Sequence, residues 1–157
     1  MSDIYLTRDF FHKLIANLEQ LKKDSIKISG QIEEARLQGD LSENAEYDAA
    51  KEAQAMNAAR QKDVESQISR AKIIQDQKIA NDKIYIGAYA TVQDLKTKNK
   101  ITYLLVSEEE SDFDNNMISV LSPIGRGLLA KAVGDSVEIK VPAGVTRYKV
   151  LKIERIT

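Results

Sequence analysis

Two carboxylates, Asp40 and Glu43, have a spacing that could bring both of them to one metal ion. They lie three residues apart at a turn that enters a predicted helix, so both can face the same way, and Glu46 follows one helical turn later. Carboxylate oxygens suit Mg²⁺, which keeps several waters and takes only one or two protein carboxylates. Two carboxylates make an incomplete site, so a metal role requires another macromolecule to supply the remaining ligands.

The same pair of acids also has a purely structural explanation. Asp-x-x-Glu at a helix start resembles a capping box, in which Asp40 would cap the helix and Glu43 would reach back. Acids in a first turn also interact favourably with the helix dipole. Gly39 fits either interpretation, because a tight turn there favours a positive φ. On spacing alone capping is the commoner explanation, and both interpretations stay open.

Other polar groups near these acids and farther along the chain offer weaker candidates. Arg36 and Lys51 flank the acidic turn, and they are either solvated charges or a local contact for phosphate or RNA. The acidic run at 108–114 lacks the alternating ligands and the glycine of a calcium loop, so a solvated loop is predicted. No nucleophile–base pair and no phosphate-binding glycine loop is visible, so an enzyme acting by itself is not predicted.

The first half of the sequence predicts two helices that form an antiparallel hairpin. Apolar residues recur by fours and threes from Thr7 to about Leu37, and a second seam runs from about Glu43 to Ile74. The seam of the second helix is polar in its middle. The connection at 37–42 is so short that the helices must be antiparallel neighbours. The predicted seam positions are Leu14, Leu18, Leu21, Ser25, Ile28, Ile32 and Ala35, then Tyr47, Ala50, Gln54, Asn57, Gln61, Val64, Ile68 and Ala71.

The second half changes to the periodicity of strands. Runs rich in β-branched and aromatic residues predict strands at 88–92, 101–106, 117–121, 136–141 and 145–156. Ser122 followed by Pro123 predicts a helix start, with a short helix over 124–131. The segment at 122–128 is interpreted either as simple turn structure or as a docking loop. The expected organisation is an α+β protein, with a coiled-coil hairpin at 1–76 and a small sheet domain at 77–157.

Composition narrows the class of protein. The 157 residues are 43% hydrophobic and 30% charged, which is typical of a folded chain. The net charge of −1 argues against a general nucleic-acid binder, and the absence of cysteine excludes disulfides and thiolate metal sites. No stretch is long and apolar enough for a membrane span, and the N-terminus does not resemble a signal peptide. A cytoplasmic location is expected.

Two stretches of the sequence resemble the Gre family of transcript-cleavage factors, and the GreA-like members more than the more basic GreB-like ones. The segment at 35–52 reads ARLQGDLSENAEYDAAKE and is similar to the family's hairpin-tip signature. The segment at 118–129, ISVLSPIGRGLL, matches a second family motif in the right order. The similarity runs along the whole chain. Ala130 departs from the family pattern, which usually has glycine there.

The resemblance implies a fold, a partner and a mode of action. A C-terminal domain of FKBP-like fold would dock on the rim of the secondary channel of bacterial RNA polymerase, through Ser122, Pro123 and Ile124, while the hairpin enters the channel. Asp40 and Glu43 would help hold the second catalytic Mg²⁺ of polymerase, which cleaves the 3′ end of a backtracked transcript. Arg36 and Lys51 would approach the RNA.

The resemblance also implies what the free protein lacks. It would have no cofactor of its own and no stably bound metal, and it would share the Mg²⁺ of polymerase. It would be a monomer that touches the nascent RNA 3′ end only indirectly and makes no membrane contact.

Two alternatives stay open at this level. One is a related factor that inhibits polymerase through the same channel, which altered tip acids would favour. The other is an FKBP-like chaperone or prolyl isomerase. An isomerase requires an apolar aromatic pocket, and Phe113 is the only phenylalanine in this half of the sequence.

Overall fold

The chain divides into two compact units, one of two long helices and one built mainly of strands. The structure is a computed structural model, and it describes residues 2–39 and 44–157. The hairpin unit comprises residues 11–70, and the sheet unit comprises residues 2–10 and 71–157. Helices precede a mixed sheet along the chain, which confirms the predicted α+β class with an N-terminal helical hairpin. In the described residues no helix is both long enough and apolar enough to cross a membrane.

Two long helices form the hairpin unit. Helix α1 spans Arg8–Leu37 and helix α2 spans Ala45–Arg70. Thr7 precedes α1, and its hydroxyl accepts a hydrogen bond from the Phe10 amide at 3.3 Å, as expected for an N-cap. Thirty residues of helix in α1 extend over about 45 Å at about 1.5 Å per residue.

The predicted seam is confirmed along both helices, including its polar centre, although its last position, Ala71, lies just beyond α2. Every seam position is buried or half-buried, whereas the residues between them are mostly exposed. The most buried positions recur at intervals of seven residues or multiples of seven, which is the heptad spacing of helices packed side by side. They are Leu14, Leu21 and Ala35 on α1, and Ala50, Asn57 and Val64 on α2.

The end of α2 differs from the prediction. The helix stops at Arg70, and the next three residues form strand β2, Ala71–Ile73, followed by a 3-10 turn at Ile74–Asp76. Strand β2 pairs in parallel with β1, Ile4–Leu6, which the sequence patterns missed. Three-residue strands are too short for alternation to be read. Leu6 and Ile74 are both 0% exposed. The burial of these side chains stabilises the strand pair more than further turns of helix would stabilise α2.

A five-stranded mixed sheet forms the sheet unit, in the order β5-β4-β3-β7-β6. Strands β4 and β5 are parallel, and all other neighbours are antiparallel. A register shift between Thr91 and Val92 marks a bulge where β3 pairs with β7. The strands are β3 Ala88–Asp94, β4 Lys100–Val106, β5 Met117–Ser119, β6 Ser136–Val141 and β7 Gly144–Arg155, and all five lie where strands are predicted.

A short helix, α3, spans Pro123–Leu128 and packs on the core side of the sheet. Its two glycines are required by close packing. A Cβ on Gly125 would lie 2.0 Å from the Ser119 carbonyl oxygen, and one on Gly127 would lie 2.6 Å from the Ile139 side chain. Glycine at both positions therefore brings this helix against β5 and β6.

Both ends of α3 show how local sequence sets its length. Ser122 caps the helix, since its hydroxyl accepts from the Gly125 amide at 3.1 Å, and Pro123 occupies the first turn, as predicted. The helix ends at Leu128 rather than at 131. Ala130 then adopts a φ of 65°, in the left-handed region that favours glycine. The unusual alanine at this position therefore occupies a conformation in which a side chain is disfavoured.

Candidate functional site

The end of the hairpin is framed by one asparagine that contacts both helices. The Asn44 side-chain amide donates to the Ala35 carbonyl in the last turns of α1, with N and O 2.7 Å apart. The Asn44 side-chain oxygen accepts from the Tyr47 amide at 3.1 Å in the first turn of α2. Asn44 is thus the N-cap of α2 and a direct tie from α2 to α1. Gly39, just beyond α1, has a φ of 145°, the positive value predicted for this turn.

This geometry bears on the capping explanation for the acidic pair. The N-cap position of α2, which Asp40 was expected to fill, is filled by Asn44. The third residue of α2 is Tyr47, so the capping-box position is not a glutamate. Asp40 and Glu43 themselves lie outside the described residues, and their metal role stays a prediction. The sequence places both of them in the connection between α1 and α2.

Arg36 and Lys51 both lie exposed on the helices next to this connection. Arg36 is in the last turn of α1, where a cation interacts favourably with the helix dipole. It forms no salt bridge with any residue in the described part of the chain. The Lys51 ammonium lies 3.4 Å from the Gln54 side-chain oxygen on its own helix. The two cations therefore stay accessible to a phosphate group.

The described residues by themselves do not form a metal site. Across 2–39 and 44–157, no group of three or more His, Asp or Glu side chains could hold an ion. Two acids in the first turn of α2, Glu46 and Asp48, are exposed. Carboxylates are the donor type that Mg²⁺ prefers, but these lack further ligands.

A second candidate site is an apolar groove on the sheet unit, with a volume of about 520 Å³. Its wall contains aromatic and aliphatic side chains from β4, β5, β6, β7 and α3 and from the loops beside them. Phe113 is 70% exposed at the groove, whereas Tyr103 is 4% exposed. Its lining includes Tyr103, Phe113, Ile118, Pro123, Ile124, Pro142 and Tyr148. The expectation that this half of the chain has no apolar aromatic pocket is therefore wrong, because tyrosines supply most of the rings.

The three residues predicted to dock polymerase all line this groove. Pro123 is exposed, and Ile124 is half-buried and packs against the core. The Ser122 hydroxyl is engaged within the fold, because it donates to the Ser119 carbonyl at 2.6 Å and also caps α3. The segment is both a structural turn and one wall of a groove, so the two interpretations of its sequence are compatible.

The groove holds one phenol with a perturbed acidity. Burial raises the pKa of Tyr103 to about 12, and a hydrogen bond with Tyr148 adds to the shift. Both tyrosines line the groove, so they present paired hydroxyls within an apolar surface. The Tyr103 phenol is therefore neutral at physiological pH and can act as a hydrogen-bond donor or acceptor.

One acid of the run at 108–114 is not solvated as predicted. Glu110 is 4% exposed, and its carboxylate accepts hydrogen bonds from both the amide and the hydroxyl of Thr7. The amide nitrogen lies 2.8 Å from the carboxylate oxygen. Glu110 thus anchors the residue that caps α1, and sequence patterns could not reveal a pair that is 103 positions apart.

The two halves of the chain match the two parts of one family of proteins. Residues 4–73 match the model described as transcription elongation factor, N-terminal, and residues 79–155 match the one described as transcription elongation factor, GreA/GreB, C-term. The chain belongs to the GreA/GreB family of transcription elongation factors. The resemblance stated from the tip motif and the 118–129 motif is confirmed.

Two GreA relatives agree with this membership over nearly their whole length. A transcription elongation factor GreA from Chloroherpeton thalassium is 47% identical over 98% of this chain and 99% of the relative. One from Chlorobium phaeovibrioides is 49% identical over 98% of each chain. A solved structure, GreA factor homolog 1 of Thermus thermophilus, covers 97% of this chain and 99% of its own, at 25% identity and a TM-score of 0.45.

In this GreA/GreB family member, the sequence patterns missed three sets of polar contacts, which involve Asn44, Asn57 with Gln61, and Glu110. Asn44 stands directly before an alanine-rich run, and an asparagine there is a recognisable capping signal. Asn57 and Gln61 were visible as polar seam positions, but their partner is a backbone carbonyl, which leaves no mark in the sequence. Glu110 had no signal that would separate it from its exposed acidic neighbours.

Proposed function

We propose that this protein binds bacterial RNA polymerase and stimulates the cleavage of RNA 3′ ends in backtracked complexes. The proposal rests on the contacts that Asn44 makes beside the acidic connection between α1 and α2. Asn44 caps α2 and ties it to α1, so the cap position needs no carboxylate. The start of α2 therefore does not require Asp40 or Glu43 as a cap, which favours the metal-ligand interpretation of their sequence motif.

The two acids would act as ligands borrowed by another active site. Asp40 and Glu43 would help hold a Mg²⁺ ion whose remaining ligands come from polymerase. When bound, such an ion supplies charge stabilisation for the attacking and leaving oxygens. The free chain is expected to bind Mg²⁺ only weakly, because two carboxylates are an incomplete ligand set.

Two exposed cations would assist at the same end of the hairpin. Arg36 and Lys51 are accessible and positively charged, and they would approach the phosphates of the extruded RNA. The groove of the sheet unit would receive the channel rim of polymerase. Ser122, Pro123 and Ile124 line that groove, and the exposed Phe113 offers an aromatic anchor of the type enriched in protein interfaces.

The decisive experiment measures RNA length in stalled, backtracked elongation complexes. We expect the wild-type protein to shorten the transcripts, and Asp40→Asn combined with Glu43→Gln to abolish this while binding persists. Asp48→Asn is the matched control, since it removes an exposed acid from the same end of the hairpin. Full cleavage by the double variant would refute the borrowed-ligand mechanism. Binding without cleavage by the wild type would instead identify an inhibitory channel-binding factor.

Docking is tested separately by a charge placed in the groove. Pro123→Glu should weaken polymerase binding, because a buried carboxylate in an apolar contact loses its hydration. Val133→Glu is the control, since Val133 is exposed in the same unit but does not line the groove. Equal binding by both variants would contradict docking through the groove.

The groove also supports a second candidate, prolyl isomerase or chaperone activity. The supporting observation is the apolar wall with two tyrosine hydroxyls, since a groove of this kind can take a proline-containing peptide. A proline-isomerisation assay on a short peptide separates the candidates. Catalysis that Tyr103→Phe reduces would favour this second function for the groove.

A further inference from the structure

A polar layer lies within the seam of the hairpin, between apolar layers. It consists of the Asn57 and Gln61 side chains on α2 and the Leu21 carbonyl on α1. The Asn57 amide donates to the Leu21 carbonyl oxygen at 3.1 Å, and Asn57 is only 7% exposed. The Gln61 amide donates to the Asn57 side-chain oxygen at 2.6 Å and lies 3.5 Å from the Leu21 carbonyl oxygen. Asn57 therefore ties α2 directly to α1, and Gln61 supports the Asn57 side chain from the same helix.

Stability alone does not account for amides at these positions. A buried amide gives up its hydration, and a hydrogen bond within the fold compensates for that loss with only a small net gain in stability. An apolar side chain of similar volume would gain burial without that cost, as replacements of buried polar groups in other helical proteins illustrate. A polar residue within a helical seam is instead a recognised device for fixing how two helices align.

The rest of the seam leaves that alignment weakly determined. In the first half of α2 the alanines that are buried or half-buried are Ala50 and Ala53, so small side chains that interlock little face α1 there. Sliding by part of a turn would change little apolar contact there. The same slide would break the 3.1 Å bond from Asn57 to the Leu21 carbonyl. The free-energy cost of leaving a buried amide without a hydrogen-bond partner then opposes the slide.

A second tie of the same chemistry lies at the end of the hairpin. Asn44, like Asn57, donates its side-chain amide to a backbone carbonyl of a buried α1 position, here Ala35. Two ties along one pair of helices determine both the axial offset and the facing side of α2. A single tie would leave a pivot.

We propose that Asn57, supported by Gln61, is a positioning residue that fixes the axial offset of α2 on α1. The placement of the connection that carries Asp40 and Glu43 follows from this offset, because the connection joins the ends of the two helices. In this respect the inference rests on the proposed function. A carboxylate displaced by about 1 Å can lower a rate by about a hundredfold, so a defined offset matters for catalysis.

The offset can be measured without polymerase. The chain has no cysteine, so labels at Lys13→Cys and Glu52→Cys, both exposed positions, will be the only ones. With Asn57 opposite Leu21, the labels are separated by about 20 Å along the helix axes, and a slide of one turn shifts this by about 5 Å. Pulsed electron paramagnetic resonance reports such a distance and its spread.

The test uses a double variant that carries both Asn57→Leu and Gln61→Leu. It is compared with the single variant Gln54→Leu. Gln54 is a polar seam residue on the same helix whose side-chain oxygen accepts a hydrogen bond from Lys51 on α2, so it is a matched control. We expect the double variant to melt at an equal or higher temperature while its label distance broadens or shifts. The control should keep the narrow wild-type distribution. An unchanged distribution in the double variant would overturn the proposal.

Cleavage assays then connect the offset to the site. In the double variant we expect the maximal cleavage rate to fall on the order of tenfold, with little change in the concentration needed for half-maximal effect. Asn57→Gln keeps an amide and should stay close to the wild type in both measurements. A broadened distribution with unchanged cleavage would overturn the positioning role. Absence of cleavage by the wild type would refute the proposed function but leave the distance measurement decisive for the offset.

Discussion

The contacts that stabilise the hairpin unit internally differ in kind from those that stabilise the sheet unit. In the sheet unit the buried cluster is almost wholly apolar and contains side chains such as Leu105 and Leu128 that are 0% exposed. In the hairpin unit the buried side chains lie along a single seam between the two helices, and one of the most buried is the polar Asn57. Packing therefore dominates one unit, whereas hydrogen bonds from asparagines to backbone carbonyls contribute to the other.

The difference follows from how much surface each architecture can bury. A sheet covered by a helix encloses residues from several directions, and a close-packed interior tolerates few alternative arrangements. Two helices side by side enclose only a seam, so their alignment is less strongly fixed by packing. Directional hydrogen bonds compensate for this, since they weaken steeply when donor and acceptor move apart.

The largest expected effect tests this contrast directly. Leu105→Ala should cost about 2–5 kcal/mol in the free energy of unfolding of the sheet unit, since it leaves a cavity in a closed core. Leu21→Ala, the matched change in the hairpin seam, should cost less because Leu21 is 7% exposed, whereas Leu105 is 0% exposed. Hydrogen exchange followed by mass spectrometry measures the two units separately. Equal costs would contradict the distinction between a closed core and an open seam.

Glu110→Ala is expected to have the next largest effect. It leaves the buried amide and hydroxyl of Thr7 without their carboxylate partner, at a cost of about 1–3 kcal/mol. Faster amide exchange in the first turn of α1 would report the loss. Glu109→Ala removes the same charge from an exposed neighbour and should leave exchange there unchanged. A matching effect of the two changes would show that charge, and not the buried contact, is responsible.

Ala130→Gly should stabilise the sheet unit by about 1 kcal/mol, because it relieves a side chain held in the left-handed region. Ala130 is exposed, so little packing is lost with its methyl group. Thermal unfolding followed by circular dichroism measures the gain. Ala132→Gly, at a position with no positive φ, should be neutral or destabilising. A lower melting temperature for Ala130→Gly would contradict the strain.

The smallest expected effect concerns the groove at high pH. Because the folded-state pKa of Tyr103 is about 12 and the ordinary value is 10.0, the unfolded phenol loses its proton first. The contribution of Tyr103 to stability is therefore complete below pH 10 and lost as the pH rises through about 12. Absorbance at 295 nm should show a late tyrosinate phase that Tyr103→Phe removes. A titration with no late phase would contradict burial of this hydroxyl.

Secondary structure was predictable wherever a pattern of residue types was repeated over many positions. The seams of α1 and α2 are visible because seven-residue spacing is repeated several times, and the strands of the sheet unit are marked by β-branched and aromatic runs. Strand β1 and the early end of α2 could not be predicted. Three residues are too few to show alternation, and their pairing joins positions 4 and 71, which no local pattern connects.

The candidate sites divide in the same way. The acidic motif at 35–52 and the segment containing Ser122 and Pro123 are local, so their residue types were apparent at once. The groove was not, because Tyr103 and Tyr148 lie 45 positions apart in the sequence and meet only across the sheet. The presence of only one phenylalanine, Phe113, in the second half of the sequence suggested the wrong conclusion about that surface.

The sequence by itself determined the helix-then-sheet order, the family, and the presence of two carboxylates in the connection between the helices, because each depends on residues that are neighbours along the chain. Only the tertiary structure decided that Asn44 caps α2, that Asn57 donates to the Leu21 carbonyl and that Glu110 is buried against Thr7. The physical reason is that backbone carbonyls and amides are the same at every position. A side chain's choice among them is made by the fold that brings one of them within reach.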